Sequence, residues 1–311
     1  MPCGIRCEGT RVLIDGCDVG AGELDTPFFD QAIQRTLQQR PAARRSITLD
    51  ALAEVAAGHA PAGFVFHVSR CGSTLISRLL ASVRGSTMLA EPDVLEALLR
   101  GRYRNGTVTQ DEKALLLRGL LGAFAAAGAD RTFVKWTARA CHDHALIRRV
   151  FADVPCVFVY RDPVEVVVAL LGNQQDRLPP GLSQAGLLME EPDMVQAMRP
   201  VEFWTRVVAR QLEAGLAMCA AAPTLLVEYR DLPQMWTGIA KFFGIELAAA
   251  DIEHMRQTAT RSAKDPQKIF HDDRAAKRAA ADDELHALVD RFARPHYVRL
   301  EATRLAASHS A

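Results

Sequence analysis

Net charge is the first thing this chain lacks: 37 lysines and arginines meet 37 aspartates and glutamates over 311 residues. With no global field to draw nucleic acid or an anionic membrane to its surface, any anion it binds is bound locally. No apolar run reaches the roughly 18 residues that a membrane-spanning helix needs, and no basic segment followed by an apolar stretch opens the sequence. The seven cysteines are odd in number and irregularly spaced, which fits reduced thiols and not a disulfide framework. These absences lead us to expect a cytoplasmic protein with neither a nucleic-acid nor a membrane partner. Metal ligands are also wanting. Cys3 and Cys7 have no second pair, and Cys141-His142-Asp143-His144 sets adjacent side chains in different directions at a helix start. Missing too is the G-x-x-x-x-G-K-[ST] fingerprint of ATPases and kinases, because Ser73 and no lysine follows Gly72.

What is there, at 49% hydrophobic and 24% charged, has the composition of a globular protein. Its organising stretch is Phe64-Val65-Phe66-His67-Val68-Ser69-Arg70-Cys71-Gly72-Ser73-Thr74-Leu75. The apolar run reads as a buried parallel strand, Gly72 lets backbone approach a ligand, and Ser73 and Thr74 are placed to cap the helix that continues through Leu80. A helix start offers free N–H groups and the positive end of a dipole, and Arg70 adds a full charge, so the turn is a cradle for phosphate or sulfonate.

Further strands are expected at Thr87–Ala90, Thr132–Trp136, Pro155–Tyr160 and Thr224–Tyr229, separated by helical patterns at Val94–Leu99, Lys113–Ala127, Ala145–Phe151, Val164–Leu171, Phe203–Ala221 and Leu232–Phe243. Asp93 reads as a helix cap. The alternation implies right-handed βαβ units and an α/β fold: one parallel sheet of about five strands, flanked by helices, of the P-loop nucleotide-hydrolase kind. Residues 1–60, with a strand at Arg11–Ile14, a turn at Asp15-Gly16 and a helix from Pro27 to Gln39, read as an extension packed on a main domain of residues 61–311. Residues 173–192, rich in Pro and Gly, read as a lid-like insert. Ligands of such sheets lie at the carboxyl ends of the strands, which gathers Ser69–Thr74, Glu91, Lys135 and Arg161 at one edge.

The ordered motifs resemble those of the sulfotransferase family. Arg70-Cys71-Gly72-Ser73-Thr74 is similar to its 5′-phosphosulfate loop, a basic residue before S-G-[ST]-T, with Cys71 in place of serine. Arg161-Asp162-Pro163 resembles its 3′-phosphate segment R-[DN]-P. Lys135-Trp136-Thr137, Phe151-Ala152-Asp153, Tyr229-Arg230-Asp231-Leu232 and Phe242-Phe243-Gly244-Ile245 follow its spacing, so that the likeness runs over residues 63–270. The resemblance implies a P-loop-like fold and a sulfonyl donor, 3′-phosphoadenosine 5′-phosphosulfate, used without a metal on a hydroxyl or amine of a small-molecule or peptide acceptor. It assigns the donor to Arg70, Cys71, Gly72, Ser73, Thr74, Leu75, Arg161 and Tyr229, with Ser262 and Lys264 as further contacts, and it sets Arg70 and Lys135 at the sulfonyl group. Glu91 is the base it implies, His142 and then His144 the alternatives. Two departures stand out. Ala169 occupies the place of a serine that shares the 3′-phosphate, and the glycine- and lysine-bearing carboxyl-terminal loop of cytosolic members is missing. A nucleotide kinase and a non-catalytic nucleotide-binding module of the same fold are the alternative readings.

Overall fold

The computed structural model describes residues 1–9, 11–19, 24, 28–103, 108–173, 187–188, 191–260 and 273–308. Most of the insert at 173–192 and both Ser262 and Lys264 therefore lie outside the described residues.

The amino-terminal segment builds a sheet of its own. Strands β1 (Pro2–Glu8), β2 (Arg11–Cys17) and β3 (Arg44–Ile47) are antiparallel in the order β1-β2-β3, with helix α1 (Phe29–Gln39) before β3 and α2 (Leu49–Ala56) after it. Asp15-Gly16, expected as a turn, continues β2. Asp15 faces Ser46 in the register and accepts from Arg6 Nε at 3.2 Å, and Gly16 faces Arg45. Cross-strand partners thus override the turn preference of the pair.

The main sheet holds β4 (Gly63–His67), β5 (Ser86–Ala90), β6 (Arg131–Lys135), β7 (Cys156–Tyr160) and β8 (Thr224–Glu228), all parallel, in the order β5-β6-β4-β7-β8. Every residue of β4 and β7 is buried. A strand covered on both faces requires this, which is why both read as unbroken apolar runs. Helices α3 (Ser73–Ala81), α4 (Asp93–Leu99), α5 (Gln110–Ala127), α6 (His144–Val150) and α7 (Pro163–Leu171) make the connections through β7, and the long helix Pro200–Ala221 leads to β8. That helix presses on the sheet through Gly215, where a Cβ atom would stand 2.3 Å from the Phe158 ring. Phe66 stacks on Trp136 with centroids 5.8 Å apart, and Phe64 meets the same indole edge-on at 5.6 Å. Offset and edge-on rings of this kind fill the centre of the core.

The strand order places the site. The chain leaves β4 toward β5 on one side and leaves β7 toward β8 on the other, so the direction of winding reverses between β4 and β7. A crevice opens at the carboxyl ends of strands where this happens. The loops that enter it begin at Ser69 and at Arg161. Beyond β8 come helices at Leu232–Phe242, Ala249–Ala259, Arg274–Ala279, Asp283–Phe292 and Arg294–Ser308.

Candidate active site

The turn after β4 is held from below and strained above. Gln211, buried in the long helix, accepts from Ser69 N at 3.0 Å and so fixes the chain as it leaves the strand. Arg70 then takes φ 55° and Gly72 φ 83°, both left-handed. Glycine is required at the second place, because a Cβ there would lie 2.8 Å from the Tyr229 ring and a side chain resists that φ. The capping role expected of Ser73 and Thr74 goes instead to Gly72, which is the N-cap. Ser73 and Thr74 are the first two helical residues, and no side chain caps the start of α3. Its first-turn N–H groups therefore point into the crevice without an internal side-chain partner, the arrangement that binds anions. Cys71 and Leu75 are buried and turn toward the core, whereas Arg70 is exposed at the crevice.

Glu91 and Lys135 meet across the next two strands. Glu91 N donates to Lys135 O at 2.8 Å, extending the β5–β6 pairing by one residue, and the Lys135 ammonium contacts the Glu91 carboxylate directly. Lys135 is 1% exposed and also lies 5.7 Å over the Phe28 ring. Glu91 adopts φ 55°, so the two non-glycine residues with positive φ among the described residues are Arg70 and Glu91. Such conformations cost on the order of 1 kcal/mol or more and concentrate at functional sites.

His67, at the end of β4, completes this cluster and is a residue that the sequence motifs do not single out. Its Nδ1 lies 2.9 Å from Val68 O and its Nε2 2.9 Å from Trp136 O, and the Glu91 carboxylate is 3.6 Å from Nε2. Two carbonyl acceptors call for two N–H donors, so the ring is an imidazolium. The signal in the sequence was a histidine ending an otherwise apolar strand. Burial opposes charge on this ring, but its contacts with Cys71 and Glu91 prevail and raise it to about 9. Burial likewise works against an ionised Glu91, and His67 and Lys135 outweigh it, holding the carboxyl down to about 2.

These shifts have opposite signs in pH. His67 is raised from 6.5 to about 9, so its stabilisation is complete below the lower of these values and is lost as pH rises through the higher. Glu91 is lowered from 4.5 to about 2, so its share is present above the upper value and is lost as pH falls through the lower. Denaturant midpoints followed from roughly pH 6 to 10 should fall along the His67 limb in the wild type. In Glu91→Gln the fall should begin at lower pH, because the imidazolium has lost its counter-ion. Identical profiles would remove this ion pair from the account.

On the far side of the crevice Arg161 is 3% exposed and fully engaged. Its Nε donates to Glu165 at 2.7 Å, an Nη to Asp273 at 2.7 Å, and its guanidinium lies 3.9 Å over the Tyr229 ring, a cation–π contact. Lys277 holds Asp273 at 2.7 Å and Arg278 holds Glu165 at 2.7 Å. Burial alone would lower the charge affinity of Arg161, and Asp273 and Glu165 reverse that and raise it. Glu165, four residues after Arg161, carries no motif, and Asp273 and Lys277 become legible only once the carboxyl-terminal helices fold back. Ala169 follows on α7 and presents no hydroxyl.

His142 stands apart from this cluster. It lies in the 3-10 turn Ala138–Asp143, and burial first, then the charges of Arg210, Arg100 and Arg139, push its imidazole down to about 4. His144 Nδ1 lies 2.9 Å from Cys141 O at the start of α6. Asp93, expected as a cap, is instead the first residue of α4 behind Pro92, and its own N–H is taken by Asp30 at 2.9 Å. Among the described residues no group of three or more His, Cys, Asp and Glu side chains is placed to hold a metal ion, and no helix is long and apolar enough to cross a membrane.

No family model and no curated protein matches the chain. Several solved structures do. A sulfotransferase from Mycobacterium avium is similar at 16% identity and TM-score 0.46, over 84% of this chain and 80% of that one. One from Alicyclobacillus acidocaldarius gives 13% and 0.46, over 78% and 95%. A mouse sulfotransferase complexed with PAP gives 11% and 0.46, over 84% and 93%. All three neighbours are sulfotransferases. TM-scores below 0.5 leave the function of this chain to its own residues.

Proposed function

We propose that this chain is a sulfotransferase that moves a sulfonyl group from 3′-phosphoadenosine 5′-phosphosulfate to a hydroxyl or amine of a small-molecule or peptide acceptor. The observation that carries the reading is the direct contact of Lys135 with Glu91 at the strand edge beside the uncapped start of α3. An anion cradle, a buried cation and a carboxylate base are the three things sulfonyl transfer asks of a protein.

The donor, when bound, supplies a sulfonyl group on a phosphate that is already a stable leaving group. The residues fit it. The N–H groups of Gly72, Ser73 and Thr74 hold the 5′-phosphate, and Arg70 adds charge at the mouth. The Lys135 ammonium, released from Glu91, stabilises charge that develops on the oxygens around the sulfur. Glu91, freed of that ammonium, becomes more basic and accepts the proton of the acceptor, while the His67 contact keeps it oriented. Arg161, with Lys277 beside it, suits the 3′-phosphate, with Asp273 the carboxylate that the phosphate replaces.

A second reading, a nucleotide-binding module without turnover, is favoured by the two carboxylates that already neutralise Arg161. Calorimetry tests what the two readings share, and a transfer assay separates them. Adenosine 3′,5′-bisphosphate should bind without magnesium and at least about tenfold more tightly than adenosine 5′-phosphate, a preference of about 1.4 kcal/mol for the second phosphate. Absence of binding at millimolar bisphosphate removes both. Binding with no transfer of labelled sulfonyl to any member of a phenol, alcohol, amine and tyrosyl-peptide panel leaves the module.

A further inference from the structure

A second charged cluster adjoins the Glu91 edge. Thr137, two residues after Lys135, donates to Glu96 of α4 at 2.8 Å, and around that carboxylate stand Arg100 with Nε at 3.5 Å and Arg139 with Nε at 3.8 Å. Arg100 also contacts Asp143. The side chains of Arg100 and Arg139 are only 16% and 19% exposed, and exposed Arg102 follows α4. From the long helix Arg210 faces the same turn, its contact with Glu213 being 3.8 Å away on the exposed side.

Positive charge is in surplus here. Burial first and then neighbouring arginines lower the charge affinity of both Arg100 and Arg139, with Glu96 as the opposing influence. Among the described residues Arg139 Nε and the buried His142 Nε2 have no hydrogen-bond partner. Half-buried cations and an unpartnered guanidinium donor are unfavourable to fold around unless something else settles them. In a chain whose total charge is zero, a local surplus beside the turn after Lys135 selects for an anion.

We propose that the acceptor carries an anionic group, a carboxylate or another oxyanion, which Arg100, Arg102 and Arg139 hold while its hydroxyl or amine reaches Glu91. That this anion belongs to the acceptor rests on the sulfotransferase reading; that the patch binds an oxyanion does not. The seven residues Asp93–Leu99 advance about 10 Å at roughly 1.5 Å each, so the anion and the nucleophile of the acceptor stand on the order of 10 Å apart. A phenol bearing a carboxylate on a short chain, or a tyrosyl residue next to an acidic one, meets that spacing. Simple neutral phenols do not.

His142 is the built-in reporter, because after burial it is the charges of Arg210, Arg100 and Arg139 that lower it, and an anion among them offsets that part. Its ring signal, assigned by loss in His142→Asn, is titrated by NMR in the full chain, free and saturated with adenosine 3′,5′-bisphosphate, with inorganic phosphate as the probe. Phosphate should raise the His142 imidazole from about 4 by about one pH unit or more, in both forms of the protein. Chloride at equal ionic strength should not. Arg102→Glu, an exposed change that leaves the fold alone, should weaken the phosphate response several-fold, and Arg139→Gln should abolish it. An unmoved His142, or an equal response to chloride, overturns the proposal. If bisphosphate fails to bind but phosphate still moves His142, the donor reading falls and the anion site stands. If bisphosphate binds and phosphate leaves His142 unmoved, the converse holds.

Discussion

Glu91→Gln is expected to lower turnover by roughly 10²–10⁴-fold, the usual loss on removing a positioned general base, while bisphosphate affinity is kept or increased, because Lys135 no longer has to leave a carboxylate. The reason is local: Glu91 is the carboxylate at the strand edge in contact with Lys135, the cation proposed to serve the sulfonyl group. At rest, burial is overcome by His67 and Lys135, which hold the carboxyl at about 2, too acidic to take a proton from an alcohol. In the proposed reaction its basicity rises when Lys135 turns to the donor, with the His67 imidazolium still holding part of the depression, so Glu91 would be a better base in the loaded enzyme than at rest. The amide keeps the volume but leaves two buried cations without a counter-ion, so the variant should also unfold at lower denaturant. His67 can relieve part of that by giving up its proton. Rates are therefore compared well below the midpoint of each protein, on whichever acceptor the panel yields. Near-normal turnover in Glu91→Gln, together with a large loss in His142→Ala, would move the base to the turn after Lys135.

The second large effect is expected at Arg161. Arg161→Ala removes the partner of Glu165, a carboxylate that is 1% exposed, and an uncompensated buried charge costs about 3 kcal/mol or more. Arg278 remains on Glu165, but it is 59% exposed and so a weaker substitute. The variant should lose both stability and bisphosphate preference. Its kcat at saturating donor should change less, because a 3′-phosphate contact exists in ground and transition states alike. Glu165→Gln added to Arg161→Ala should restore most of the stability and none of the bisphosphate preference. Restoration of both would mean that Arg161 acts only through Glu165, as a structural residue.

The contrast between Glu91 and Arg161 shows what could be read from sequence. Residues fixed by the sheet were legible, because β4, β5, β6 and β7 read as strands with buried apolar centres and whatever ends or follows them lands at one edge: Arg70, Glu91, Lys135 and Arg161 were all placed there by that rule. The five parallel strands were legible for the same reason. Contacts made by distant segments were not. Asp273 reaches Arg161 across 112 residues, and a polar helix such as Arg274–Ala279 gives no periodic signal. The carboxyl-terminal helix Arg294–Ser308 docks through Tyr160 to Glu301 and Arg294 to Asp162, polar contacts that apolar periodicity cannot foretell. β1 was hidden because its side chains are mostly half-buried and its run Cys3-Gly4-Ile5-Arg6-Cys7 does not alternate cleanly.

The central claim is that donor binding at the α3 start parts Lys135 from Glu91, and a crystal structure of the full chain with adenosine 3′,5′-bisphosphate tests it most directly. The 5′-phosphate should lie within hydrogen-bond distance of the N–H groups of Gly72, Ser73 and Thr74, the 3′-phosphate on Arg161 where Asp273 now sits, and the Lys135 ammonium turned from Glu91 toward the nucleotide. Nucleotide bound away from the α3 start, or Lys135 still closed on Glu91 beneath a bound phosphate, would contradict it.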